Sequence, residues 1–433
     1  MSINDIREIY RKNSNNNVRN IIEKLFLPTN IEKLENAEVS TPVFLIDEML
    51  SKIPEAFWKT PKKVLEPCCG KGNFLLAIFD KFYEGLEESI SDKNQRCKTI
   101  VAECIFFGDI TENNVLITIE ILRCHIESYT GIYPDYTFNL FVGNTLLLDV
   151  KEHFKIDVFD AVVGNPPYQS NNGTNGTLWD KFVIHALTML KENGYMSFVN
   201  PSGWRNSAGK FKKVQKEILT RDLRYLEIHD MKDGLKTFNC ATRYDWYLLK
   251  NKMVNETNTI IKFQDGEVLT INVVGLEFIP NGKYEKITSM IAKKCDESVD
   301  VLHSESKYII RKKYMSNIKD YNYKYPCVYT INTKSQITCK YSSEQHGHFG
   351  VAKLIWSNGS ILSVGSYLDD TGIYGLTQFA YAIIDESKNL ENIKKAFDSK
   401  EFRELMTFCA VGQSTINHKA ISLFKKDFWK EFI

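Results

Sequence analysis

The chain has 433 residues, 43% of them hydrophobic and 25% charged, with 55 basic against 54 acidic side chains and a formal net charge of +1. That length suits two domains with sizeable cores, and the near-neutral balance excludes a protein that coats nucleic acid over its whole surface. No run approaches the ~20 uninterrupted apolar residues of a membrane-spanning helix, and the polar residues 1–19 do not read as a secretory signal, so a cytoplasmic location is expected.

Residues 1–35 read as an N-terminal helical extension, with the asparagine-rich patch Asn13–Asn17 as a loop. From there to about residue 250, strand-like and helix-like signals alternate. Lys63–Leu65 is a short apolar run before a glycine-containing turn, and Phe74–Phe82 is helical. Ile100–Phe107 is strand-like, and Glu112–Tyr129 has Val115, Ile119, Leu122 and Ile126 at helical spacing. Phe138–Val142 and Val158–Val163 are β-rich, Leu178–Leu190 is helical, and Tyr195–Val199 is another strand. Strands separated by helices of this length imply a mostly parallel sheet covered on both faces. The polar stretch Asn251–Asn258 marks the expected domain boundary. Strand candidates Lys353–Trp356 and Ile361–Val364 follow it, then a helical tail over Asn389–Phe408. The 10 cysteines include no Cys-x-x-Cys pair, and Cys68 and Cys69 are adjacent, so they read as reduced core thiols and no metal is expected.

Two loops carry chemistry. After the first strand comes Glu66-Pro67-Cys68-Cys69-Gly70-Lys71-Gly72-Asn73-Phe74. A glycine-rich turn at the carboxyl end of a strand lets backbone approach a ligand closely. It lacks the third glycine of the dinucleotide fingerprint and the Gly-Lys-Ser/Thr of a P-loop, which disfavours both ligands. The next strand ends at Asp109, whose carboxylate can accept two ribose hydroxyls or cap the helix that opens at Thr111.

The second loop is Asn165-Pro166-Pro167-Tyr168, delivered by the apolar strand Val158–Gly164. An aromatic amine is a poor nucleophile because its lone pair is delocalised into the ring. The Asn165 amide oxygen and the Pro166 carbonyl can each accept one amine N–H, drawing the nitrogen towards tetrahedral geometry. Pro166 and Pro167 fix φ and remove competing donors, and Tyr168 offers a face for a stacked base. Rate then comes from positioning and electrostatics.

Together these segments resemble the gamma-class N6-adenine-specific DNA methyltransferases of restriction–modification systems, motif by motif from Thr41 to about Leu249. The resemblance implies a Rossmann-like class I fold with a mostly parallel seven-stranded sheet over residues 36–250. It also implies a C-terminal target-recognition domain over 251–433, and a stand-alone enzyme. S-adenosylmethionine is the implied cofactor, held by Thr41, Pro42, Glu66, Pro67, Cys68, Gly70, Gly72, Asn73, Phe74, Asp109, Ile110, Asn144, Thr145 and Asn165. Asp109 would take the ribose and Asn144 the cofactor's adenine. Glu66 fits the family's leading acid, while Cys68-Cys69 is an unusual filling. Asn165 to Tyr168 would be catalytic, with Tyr168 and Phe238 stacking a flipped base.

Double-stranded DNA is the implied partner, with a separate cognate restriction endonuclease as a second one. Asp369–Gly375 resembles the recognition half of fused restriction–modification enzymes. Backbone contacts are expected from Lys210, Lys212 and Lys213, and from Arg311, Lys312 and Lys313, the latter group interleaved with Tyr308, Tyr314, Tyr321, Tyr323 and Tyr325. Gln169–Thr177, rich in Asn and Gly, is expected to be a loop that orders when DNA and cofactor bind. The same tetrad serves RNA and protein-glutamine methyltransferases, and a non-catalytic nucleic-acid-binding module is the reading from another class.

Overall fold

The computed structural model describes residues 3–13, 15–25, 39–169, 176–206, 210–303, 306–411 and 415–433. Two compact units divide the chain, Met1–Leu276 and Glu277–Ile433.

The first unit is built on one sheet, nine-stranded among the described residues and ordered β3-β2-β1-β4-β5-β7-β6-β8-β9. In chain order the strands are β1 (Val64–Glu66), β2 (Ile105–Asp109), β3 (Asn139–Val142), β4 (Phe159–Gly164), β5 (Leu190–Pro201), β6 (Arg221–His229), β7 (Tyr244–Met253), β8 (Thr259–Lys262) and β9 (Val268–Ile271). β1 to β5 are parallel, and β7 enters antiparallel between β5 and β6. The central strands are rich in buried apolar residues because both faces are covered.

On one face lie α1 (Ile3–Lys12), α2 (Asn15–Leu25), α3 (Val43–Ser51), α4 (Asn73–Gly85) and α5 (Glu112–Thr130). Ile46, Met49, Leu75, Phe79, Phe82, Ile121 and Leu122 from these helices share a core with Val64, Phe107, Ala161 and Val163 of the strands. The opposite face packs Phe106 and Phe159 edge-on at 5.3 Å. The N-terminal helices are part of this body. Ile6, Val18 and Ile22 are buried in the same core, and Arg7 bonds Glu120 at 2.7 Å.

Several expectations change. Asn15–Asn17 open α2 instead of forming a loop. Ile100–Cys104 is a π-helical turn continuing the helix Lys93–Thr99, so the strand starts only at Ile105. A short apolar run without alternation fits either state, and here Ile100, Val101 and Cys104 face the core from a helix. The division of the chain falls after Leu276, not at residue 251, because β8 pairs parallel to β6 and β9 pairs with β8. The sheet therefore has two strands beyond the expected seven.

The second unit holds β10 (Asp300–Leu302), β11 (Met315–Ser316), β12 (Tyr325–Ile331), β13 (Ile337–Ser342), β14 (Lys353–Ser357), β15 (Ser366–Asp369), β16 (Gly375–Leu376) and β17 (Ala380–Ile384). Among the described residues they make two four-stranded sheets, β10-β17-β14-β15 and β11-β13-β12-β16. Helices Ser387–Asp398 and Lys400–Cys409 pack Phe397 and Phe402 against Trp356 and Phe428. The expected single helical tail is thus broken at Ser399, whose hydroxyl accepts from Phe402 N and starts the second helix. Ile361–Val364 is not a strand; Val364 makes only an isolated bridge to Asn332, and β15 begins two residues later. Within Asp369–Gly375, a buried Lys353–Asp369 pair at 2.6 Å anchors a tight turn. Asp369 also accepts from Ile373 N at 3.0 Å and Tyr374 N at 3.1 Å. Gly372 has φ +71, and a Cβ there would stand 2.3 Å from Val351 N, so the turn requires glycine.

Candidate active site

The strand order reverses between β1 and β4, and the crevice outside their carboxyl ends is where doubly wound sheets bind ligands. Both motifs of the sequence open there, Glu66–Phe74 after β1 and Asn165–Tyr168 after β4.

The first loop is a tight turn. Cys69 N donates to Gly108 O at 2.9 Å, Gly72 N donates to Cys69 O at 2.9 Å, and Gly70 and Gly72 both have positive φ. A Cβ at Gly72 would come within 3.1 Å of the Thr118 methyl. Neighbouring loops are tied to this turn. Asp109 accepts from Gly70 N at 2.9 Å and from Thr111 N at 2.8 Å, and the N-cap of the following helix is Thr111, not Asp109. Thr145 Oγ1 donates to Pro67 O at 2.6 Å, and Gly143 N donates to Asp109 O at 2.9 Å. Asn144 accepts from Leu146 N at 3.1 Å, which leaves its amide donor side for a ligand. Asn73 Nδ2 bonds Ser40 Oγ at 3.1 Å and Thr41 O at 3.3 Å, fastening the Thr41-Pro42 segment to the same loop. Pro42 caps α3, and Phe74 points into the core. Cys68 and Cys69 have thiols pushed up by burial and are not poised as thiolates.

Glu66 is almost wholly buried, and its Oε2 has no partner. Burial, with the charge of Asp109 added, pushes its carboxyl well above the usual range, and burial raises Asp109 too. A buried carboxyl with one unpartnered oxygen, set beside a glycine turn and a second acid, is a donor-seeking site. Close by in the chain, Ile110 and Leu147 stand 65% and 79% exposed at the carboxyl ends of β2 and β3, where large apolar side chains suit the faces of a purine. Hydroxyl and ammonium donors for the acids and an aromatic ring for the apolar pair are what an aminoacyl nucleoside supplies. The residues present fit S-adenosylmethionine.

At the tetrad, Asn165 Nδ2 donates to Thr41 Oγ1 at 3.1 Å, and its Oδ1 is buried with no partner. The amide is thus oriented with its acceptor free. Tyr168 has a buried hydroxyl without a partner, and burial beside Tyr244, Asp245 and Cys240 raises its pKa. Tyr244 meets Phe238, the other expected stacking residue, edge-on at 4.8 Å. Phe238 ends α8 (Met231–Phe238) and is half-buried. Tyr168 O accepts from Leu178 N at 3.1 Å and Gln169 bridges Thr177, closing the base of the expected mobile loop. Residues 170–175, its tip, lie outside the described residues. The helix expected at Leu178–Leu190 is α6 (Trp179–Met189).

Sequence reasoning missed the layer behind the tetrad. His229 lies flat on Tyr244 at 4.3 Å and 7°, held between Glu227 and Asp233 at 3.3 Å each. Arg205 and Asp245 form a fully buried pair at 2.7 Å. Asp245 interrupts an otherwise apolar strand, Tyr244–Leu249, and that lone acid was the available signal. Lys210, Lys212 and Lys213 are exposed at the start of α7 (Lys212–Leu219), and Arg311, Lys312 and Lys313 are exposed in the second unit.

Comparison with known proteins finds likenesses among methylases and restriction-modification enzymes. The family model "Eco57I restriction-modification methylase" matches residues 103–238, a span that runs from β2 through the tetrad to Phe238. An uncharacterized adenine-specific methylase of Mycoplasma pneumoniae is 23% identical over 360 residues, 66% of this chain and 80% of its own. Adenine-specific methyltransferase BrxX of Escherichia coli O9:H4 is 38% identical over 61 residues, 11% of this chain and 5% of that protein. Among solved structures, the type IIL restriction-modification enzyme MmeI in complex with DNA matches with TM-score 0.53 at 13% identity, covering 95% of this chain and 67% of that one. The DrdV–DNA complex gives TM-score 0.53 at 11% identity over 95% and 59% of the two chains. The chain spans most of the Mycoplasma relative but only part of these larger proteins. The resemblance to adenine-specific methylases read from the motifs is borne out, and the fold is that of class I methyltransferases with an enlarged sheet.

Proposed function

We propose that this chain methylates the exocyclic amine of adenine in double-stranded DNA, using S-adenosylmethionine. The observation that supports this best is Asn165 at the switch point, donating to Thr41 while its own buried oxygen lacks a partner.

The cofactor, when bound, supplies a methyl group on a positively charged sulfur. Glu66, Asp109, Asn144 and the Gly70–Gly72 turn would hold it, with Ile110 and Leu147 along its base. Asn165 Oδ1 accepts one N–H of the target amine and Pro166 O accepts the other, so the lone pair points at the incoming carbon. The amine's proton leaves to solvent after attack, and no general base is required beforehand. Because the fixed amide is already desolvated, it stabilises the charge that develops on nitrogen without reorganising. An adenine inside a duplex cannot reach this loop, so the base is flipped out at a cost of a few kcal/mol. Stacking on Tyr168 and Phe238, roughly 1–3 kcal/mol per base, offsets that cost.

Lys210, Lys212 and Lys213, and Arg311, Lys312 and Lys313, would hold phosphates, and the unit Glu277–Ile433 would read sequence. A separate cognate endonuclease and a cytoplasmic setting complete the reading. The test is transfer of labelled methyl to duplex DNA by the full chain. Asn165→Ala should lower kcat by about 10²–10³ with the thermal midpoint unchanged. Label transferred only to RNA or to protein would overturn the substrate while leaving the chemistry in place.

A further inference from the structure

The segment 307–325 of the second unit carries six cations (Lys307, Arg311, Lys312, Lys313, Lys319, Lys324) against one acid, Asp320, in a chain whose overall charge is +1. Its outer part, 317–324, connects the edge strand β11 to β12, which pairs on the other side of β13. Two large apolar side chains project from it, Ile318 at 73% exposure and Tyr321 at 95%. Single exposed hydrophobics are ordinary on a protein surface, but this pair sits on a turn that is held rigidly.

Asp320 Oδ1 accepts from Asn322 N at 2.8 Å and Tyr323 N at 2.7 Å, and Asp320 N donates back to Tyr323 O at 3.3 Å. The only acid in the segment is thus committed to the turn. Below it, Tyr323 Oη donates to Lys313 O at 3.1 Å, Ser316 Oγ bonds both backbone groups of Ile318, and Lys340 of β13 reaches Asn317 Oδ1 at 2.7 Å. These bonds fix the positions from which Ile318 and Tyr321 point outward, so little ordering remains to be done on binding.

We propose that Ile318 and Tyr321 form a wedge that inserts between base steps of duplex DNA while the flanking lysines and Arg311 hold the phosphates on either side. Charge complementarity selects the occupant. An apolar tip within a dense cationic collar suits a polyanion whose grooves expose stackable surface, and apolar wedges beside groove-bound cations unstack and bend DNA. The inference rests on the duplex-DNA reading of the catalytic unit and adds a distortion of the duplex made by the other unit.

Binding of the full chain to a 30-base-pair duplex, followed by anisotropy across a salt series, is combined with energy transfer between end-labelled strands. Ile318→Ala/Tyr321→Ala should weaken binding about tenfold at every salt concentration and abolish the change in end-to-end transfer, because counterion release is untouched. Tyr321→Phe should keep both. Lys312→Ala/Lys313→Ala should instead flatten the salt slope by about 2. Both sites are exposed, and an unchanged thermal midpoint verifies folding. A double apolar variant that binds and bends like the parent overturns the wedge and leaves the DNA reading intact. A parent protein that binds no duplex at any salt overturns both.

Discussion

At the scale of single residues, the site holds polar atoms at a cost to the free protein. Glu66 is buried with one oxygen unpartnered and a carboxyl pushed up by that burial. Glu66→Gln removes an acid whose ionisation is penalised by its apolar setting, so the ligand-free variant should melt higher than the parent. The variant should also bind S-adenosylmethionine more weakly, by roughly tenfold or more, since a charge-assisted bond is worth about 1.5–3 kcal/mol. Thermal scans with and without cofactor measure both at once. A variant that melts lower yet binds equally well would remove Glu66 from the ligand site. The tetrad and the glycine turn were legible in the sequence because each is a contiguous run whose residue types are dictated by its chemistry. The free state of the Asn165 oxygen was not legible, since it depends on Thr41, 124 positions away.

At the scale of elements, β6 and β7 carry a charged layer behind Tyr168 that no local pattern announces. Glu227 accepts from Tyr225 Oη and Lys262 Nζ, each at 2.7 Å, and contacts His229. Burial works to raise its carboxyl, but these partners prevail and hold it at about 2, below the ordinary 4.5. Its contribution to stability is therefore complete above pH 4.5 and lost as pH falls towards 2. Burial works against the His229 imidazolium, yet Glu227 and Asp233 raise its pKa above 6.5 on balance. That contribution is complete below pH 6.5 and lost as pH rises through the raised value. Glu227→Gln should shallow the acid limb of a stability–pH curve and move the His229 titration, followed by NMR, back towards 6.5; an unmoved His229 would break the link. In the same layer, Asp245→Ala leaves the Arg205 guanidinium buried without its carboxylate, which should cost about 3–5 kcal/mol in denaturant unfolding. A double apolar replacement should recover most of that loss.

At the scale of the whole molecule, alternating strands and helices gave the class of fold, but not where the first unit ends. Polar residues at Asn251–Asn258 looked like a linker because strand endings and domain endings have the same composition. Pairing of β8 to β6, a non-local contact, decides that they are the end of β7 and its connection to β8, inside the sheet. The strand expected at Ile361–Val364 failed for a related reason. Its apolar residues Ile361 and Val364 are buried against Trp356 and Phe397 from an irregular segment, so burial alone produced the strand-like pattern. The second unit follows no local code that identifies a DNA reader, and the proposal that it is one rests on charge, the exposed Tyr321 and position in the chain. The most direct measurement is therefore the identity of the product. Duplex DNA of mixed sequence is incubated with the full chain and methyl-labelled S-adenosylmethionine, digested to nucleosides, and resolved by mass spectrometry. Label in N6-methyl-2′-deoxyadenosine, absent with Asn165→Ala, is the expected result. Label in N4-methylcytosine, or none in DNA while RNA or protein is labelled, would contradict the account.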